Sequence, residues 1–175
     1  MTDDGGGSTG ADGRRAAAAN GVADAATDAA DAASSADAPP PPPGVPDATE
    51  IGADVLRGDA DGLEERVDDL HDVAQDAREA FEPPEDAAER ALAYCRHGLW
   101  PVLAVYVDRR GAGAALGQPH HDRLEVALNT WLELYARSYG GDHSFDFSVR
   151  EAAELFVSTH NVLDVAQLLT DVPER

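Results

Sequence analysis

Leu63, Val67, Leu70, Ala74, Ala77 and Phe81 follow one another at steps of 4, 3, 4, 3 and 4 residues, the spacing that lines one face of an α-helix. The opposite side of the stretch carries Glu64, Glu65, Asp68, Asp69, Asp72, Asp76 and Glu79. An apolar row backed by acids predicts a helix packed in its own domain's core, because fewer than three heptads is short for a coiled-coil seam. The same rhythm returns in Leu124, Leu128, Trp131 and Tyr135, with steps of 4, 3 and 4. It predicts a central helix from Pro119 to Tyr139, stopped by Gly140-Gly141.

Between these two rows the chain reads as more helix. Pro83 and Pro84 break the first element. Pro84 followed by Glu85 and Asp86 suits the opening turn of the next, where no donor is needed and acids meet the positive end of the dipole. That helix should turn Ala88, Ala91, Leu92 and Cys95 inward and reach about His97, after which Gly98 and Pro101 should interrupt it. Pro101–Val107, "PVLAVYV", fits either a buried strand or a resumed helix. The lack of a partner strand and the helical surroundings favour helix. The glycine-rich run from Arg109 to Pro119 reads as a mobile loop.

Near the C-terminus, Ser148 and Glu151 form a capping box for a helix from Val149 to about Val157. Asn161 with Asp164 opens a last helix that ends before Pro173. Val149, Ala153, Phe156, Val162, Val165, Ala166 and Leu169 should then form an antiparallel hairpin packed on the rest. Upstream, Asp47 and Glu50 can open a short helix through Leu56, ended by Gly58. The expected fold is all-α, a compact bundle of five or six helices spanning 47–175.

Residues 1–46 have a different character. After Met1 their only sizeable apolar side chains are Val22 and Val45, too little to repay the entropy of ordering, so a disordered tail is expected. Its Pro39–Pro43 run should act as a stiff polyproline spacer, and the alanine-rich part from Arg14 to Ala38 should form transient helix at most. No repeat of solenoid period is present.

Composition then narrows the setting. The formal charge is −21, from 34 acids against 13 basic residues, and every basic residue is Arg; no Lys occurs in the chain. The tail contributes −5 and the segment from Asp47 onward −16, so the folded part is itself anionic. In dilute buffer such a chain repels itself, whereas molar salt shrinks the Debye length to ~3 Å and removes most of the repulsion. Abundant Asp and Ala, Arg as the sole cation and few aromatics resemble the cytoplasmic proteins of salt-accumulating haloarchaea. Cys95 is the only cysteine, which excludes a disulfide-framed secreted fold. The opening "MTDDGGGSTG" lacks the apolar run of a signal peptide, and the longest apolar stretch, Gly98–Val107, is about half of the ~20 residues a membrane helix needs. A cytoplasmic location with no membrane contact is expected.

Candidate chemistry is sparse. "SVREAAELFVSTHNVLDVAQLL", Ser148 to Leu169, has the outline of two helices joined at Ser158–His160, and "SVREAAELF" resembles the first helix of helix-turn-helix regulators. In that family the second helix carries base- and phosphate-contacting side chains. Here it offers Asn161, Asp164, Gln167 and Thr170, and 144–175 has six acids against two Arg, which disfavours nucleic acid. Cys95, His97, His120, His121, Asp122 and His143 supply ligand types for zinc, but neither HExxH nor paired CxxC is present. Adjacent His side chains on a helix diverge by ~100°, so His120 and His121 read as an exposed first turn. Cys95 has no base on its own face and reads as a small core residue. Tyr94, Trp100 and Tyr106 beside Arg109-Arg110 have the composition of a protein hot spot, but the favoured expectation is that Trp100 and Tyr106 fill the core beside the Pro101 kink.

No catalytic residue, cofactor or metal ligand is therefore assigned from sequence. The leading expectation is a non-catalytic protein-interaction or regulatory module, with a protein partner or self-association. A helix-turn-helix-like transcriptional regulator using 148–170 is the alternative, and a small metal-dependent enzyme a third. Because salt relieves the self-repulsion, the thermal midpoint of the full chain, followed by far-ultraviolet circular dichroism, is expected to rise as KCl is raised from dilute to molar. A midpoint that stays flat or falls contradicts it.

Overall fold

The computed structural model describes residues 62–113 and 115–172, and these are all-α, with no strand among them. The expected tail (1–46) and short helix (47–56) lie outside the described residues. Six helical segments follow in order: α1 (Leu63–Glu79), α2 (Ala87–Tyr94), α3 (Trp100–Gly111), α4 (Gln118–Ser138), α5 (Val149–Thr159) and α6 (Val162–Thr170). A π turn, Cys95–Leu99, fuses α2 and α3 into one unbroken rod, so the described residues form five helical rods.

That fusion corrects the expected interruption at Gly98 and Pro101. In a regular α-helix Pro101 would lack the N–H that should reach the carbonyl of His97, and its ring would crowd that carbonyl. Here the backbone N–H of Trp100 instead reaches back five residues to the carbonyl of Cys95. The wider turn leaves Pro101 as an opening residue of α3, where a missing donor costs nothing. Pro101–Val107 is helix, as favoured, and α3 runs on through Arg109 and Arg110 to Gly111, so the loop starts later than the glycine content suggested.

Side-chain pairings fix the directions of the rods. Glu64 meets His120, Asp68 accepts from Arg123, Gln75 donates to Thr130 and Arg78 meets Glu133. Numbers climb together on both helices, so α1 and α4 run parallel. Against the rod the order reverses: Tyr94 packs on Trp131, and Tyr106 on His121, so α2 and α3 run antiparallel to α4. Trp100 lies against Phe156 with ring centroids 5.1 Å apart, which joins α3 to α5.

The core is built from the predicted rows. Val67, Leu70, Ala74 and Ala77 of α1 and Leu124, Leu128, Trp131 and Tyr135 of α4 are buried, as are Val149, Ala153, Phe156, Val165 and Ala166 of the C-terminal hairpin. Two assignments differ. Ala88 is exposed in the first turn of α2, which starts at Ala87. Phe81 falls past the end of α1 and receives the Arg137 guanidinium 4.1 Å from its ring centre.

Termination follows the local chemistry. After α4, Gly140 adopts φ +84°, and the N–H groups of Gly140 and Gly141 donate to the carbonyls of Arg137 and Ala136 at 3.0 Å each, closing a Schellman motif. The chain then returns in extended form to the middle of α4. There Asn129 grips the backbone of Phe147 twice, its Oδ1 accepting from the N–H and its Nδ2 donating to the carbonyl, both at 2.8 Å. Ser148 and Glu151 make the predicted capping box. The Ser148 hydroxyl and backbone N–H both donate to the Glu151 carboxylate, which lowers its pKa below the usual range.

Gly98 sits closest to another rod: a Cβ there would fall 2.3 Å from Cδ2 of the Trp131 indole. Gly→Ala inside a helix ordinarily stabilises by a few tenths to ~1 kcal/mol. Gly98→Ala is expected to do the reverse and destabilise by about 1–3 kcal/mol through overpacking, measured by denaturant unfolding at fixed KCl. A gain in stability would show that the rods separate freely at this point.

Candidate functional site

The corner where the end of α3 faces the start of α4 gathers the most polar chemistry among the described residues. Pro119 occupies the first turn of α4, and the N–H groups of His120 and His121 close back on the carbonyl of Gly117 at 3.1 and 3.0 Å. Successive side chains there leave in different directions, as expected for His120 and His121, but both are half-buried rather than exposed because each turns toward a neighbouring helix. His120 Nε2 turns toward α1 and lies 4.0 Å from Glu64 Oε1. His121 turns toward α3, edge-on to Tyr106 with ring centroids 6.1 Å apart.

One turn along, Glu125 shares the face of His121, and its Oε1 lies 3.6 Å from His121 Nδ1. Asp122 Oδ1 accepts from the Gln118 amide at 2.6 Å. One ligand atom from each of His121, Asp122 and Glu125 lies within 4.8 Å of the others. Sequence reasoning named His121 and Asp122 but passed over Glu125; the signal available was its i+4 relation to His121. Tyr106 Oη accepts from Arg110 Nη1 at 3.3 Å, so Arg110 is held at the rim. Arg109 is half-buried, and its Nε is enclosed without an acceptor among the described residues.

The other named candidates do not join this corner. Cys95 is 1% exposed, and burial pushes its thiol far above the ordinary range. His97 is buried on the π turn, and His143 packs on Phe145 beyond the end of α4. Tyr94 and Trp100 are buried core residues and Tyr106 is half-buried, so the supposed aromatic hot spot is mostly interior.

The C-terminal helix pair forms as drawn. His160 takes φ +55° at the junction, and its N–H donates to the carbonyl of Phe156 at 2.7 Å. Asn161 Oδ1 caps α6 by accepting from the N–H of Leu163 at 2.9 Å. Thr170 is buried and donates to the carbonyl of Ala166, so it cannot reach a groove. On the outer side of α6 lie Asn161, Leu168 and Asp171, with Asp164 half-buried beside them and Leu168 56% exposed.

Fold and corner together define a small helical domain with a mixed imidazole and carboxylate cluster on its surface. Residues 61–174 match the family model described as "Domain of unknown function (DUF8055)", and the chain belongs to that family. The match opens just ahead of α1. No curated protein and no solved structure matches the chain. No described helix is long and apolar enough to cross a membrane.

Burial of Cys95 has a simple consequence. In the native protein the thiol should resist an aromatic disulfide reagent and react stoichiometrically only after denaturant is added. Rapid native labelling, followed by absorbance, would place the sulfur at the surface.

Proposed function

We propose that this domain is a non-catalytic protein-interaction module of the cytoplasm of a salt-accumulating archaeon, and that it contacts its partner through the outer face of α6. Leu168 carries this reading: it is a large apolar side chain, 56% exposed, on a helix whose neighbouring outward residues include Asp164 and Asp171. An exposed leucine set among carboxylates complements a protein surface with an apolar pocket rimmed by arginine. It does not complement a polynucleotide, whose nonspecific affinity comes from cations on the protein. Both helices of the hairpin that bears it are capped, α5 by a capping box and α6 by an Asn, which lowers the ordering cost on binding. The setting rests on composition: a charge of −21 with no Lys suits molar salt.

The helix-turn-helix alternative uses the same surface and is separated by one pair of measurements. A photo-reactive phenylalanine analogue at position 168 is expected to give a discrete protein adduct in cells at high salt. The same group at Asp69, on the acidic side of α1, is expected to give none, and added Leu168→Glu protein should not compete for the adduct. Fluorescence anisotropy with duplex DNA is expected to stay flat in both moderate and molar KCl. A salt-dependent rise in anisotropy, or equal adducts from both positions, overturns the proposal.

A further inference from the structure

We propose that His121, Asp122 and Glu125 form a binding site for one divalent transition-metal ion of the manganese-to-zinc range. The inference is independent of the surface on α6. Donors around a single ion with bonds of ~2.1 Å must lie about 3–4 Å apart. The His121 Nδ1 to Glu125 Oε1 separation of 3.6 Å already meets this, and the three-atom limit of 4.8 Å brings Asp122 within a small side-chain rotation of it.

The donor set narrows the ion. Two carboxylates alone would favour magnesium or calcium, whereas an imidazole nitrogen shifts preference toward the first-row transition ions. Outer groups contact two of the three donors, as ligand-supporting residues do in metal sites. The Gln118 amide donates to one Asp122 oxygen, and Tyr106, itself tied to Arg110, lies edge-on to the His121 ring. The His121 and Glu125 side chains are 30% and 31% exposed and Asp122 more so, so remaining coordination positions would face water.

Electrostatics permits the ion. His121 is the fourth residue of α4, where the helix contributes roughly half a positive charge, but two full carboxylates outweigh it. Two of the cations around the corner are engaged, Arg123 with Asp68 and Arg110 with Tyr106; Arg109, whose Nε has no acceptor among the described residues, leaves the two carboxylates still in excess. His120 turns away to Glu64 and is not a ligand.

The competing account is a bare His121–Glu125 ion pair with no metal. Isothermal titration calorimetry of the untagged, chelator-stripped full chain, in concentrated KCl at mildly alkaline pH, decides between them. Manganese chloride and zinc chloride are the probes. One saturable site is expected, weakened at least tenfold in both His121→Ala and Glu125→Gln and unchanged in His143→Ala. Bound manganese should broaden the ring resonances of His121 before those of His71 or His160. Circular dichroism checks each variant, and the isosteric Glu125→Gln decides if His121→Ala loses helix. Absence of saturable binding for both ions overturns the proposal. So does full affinity retained in Glu125→Gln, which would assign the ions to the acidic surface at large.

Discussion

The approach of Gly98 to the Trp131 indole sets the spacing of the bundle. The ring carbons lie where a Cβ would stand, at 2.3–2.5 Å from its ideal position, so rod and α4 meet at a distance only glycine allows. Two consequences follow from the same turn. Widening into a π turn aligns Gly98 with the ring, and it also removes the clash that Pro101 would otherwise bring, so one local distortion serves both a close packing and a continuous rod. Tyr94, with its centroid 5.8 Å from that of Trp131, closes the contact from the preceding turn. The indole pays a cost for this position: its Nε1 is buried with no acceptor among the described residues. Such a donor costs on the order of 1–3 kcal/mol. Burial of an indole, about 150–250 Å², still outweighs that cost at ~25 cal/mol per Å², so Trp131 stays in the core with its donor unpaired.

The parallel contact of α1 with α4 has a different basis. Its polar rungs are partly exposed, and exposed ion pairs are worth at most about 1 kcal/mol each, less in salt. Val67, Leu70, Ala74 and Ala77 supply the adhesion, and the rungs specify register. A shift of α1 by one turn would still bury an apolar row but would set Asp68 against His120 in place of Arg123. Parallel neighbours need a long return, and the rod of α2 and α3 provides it.

Much of this was legible in the sequence. The rows in α1 and α4, the capping box at Ser148, the stop at Gly140 and the burial of Cys95 all follow from periodicity or local chemistry. The continuity of α2 into α3 was not, because a π turn leaves no periodic signature and the Trp131 ring that packs on it is more than thirty residues away in the chain. Asn129 was missed for the same reason. Its value lies in pinning Phe147, a partner set by the path of a loop. At the candidate site, divergence of His120 from His121 was readable from helix geometry. The convergence of His121, Asp122 and Glu125 was obscured because acids are so frequent that any one of them carries little information.

In the molar-salt setting proposed above, an anionic skin would also restrict what kinds of contact can carry specificity. With a Debye length of ~3 Å, charges that do not touch a partner scarcely act on it, so the bulk of the −21 charge keeps the chain hydrated and selects nothing. Interactions that survive operate at contact range. Apolar burial is one, and salt strengthens it when the salt is excluded from the surface. Direct ligation of a metal ion at ~2.1 Å is the other, since no mobile ion fits between donor and metal. Leu168 on α6 and the His121–Asp122–Glu125 corner on α4 belong to these two classes, and they lie on different helices. That separation lets either be removed by substitution without disturbing the other, provided the Gly98–Trp131 contact still fixes the rods between them.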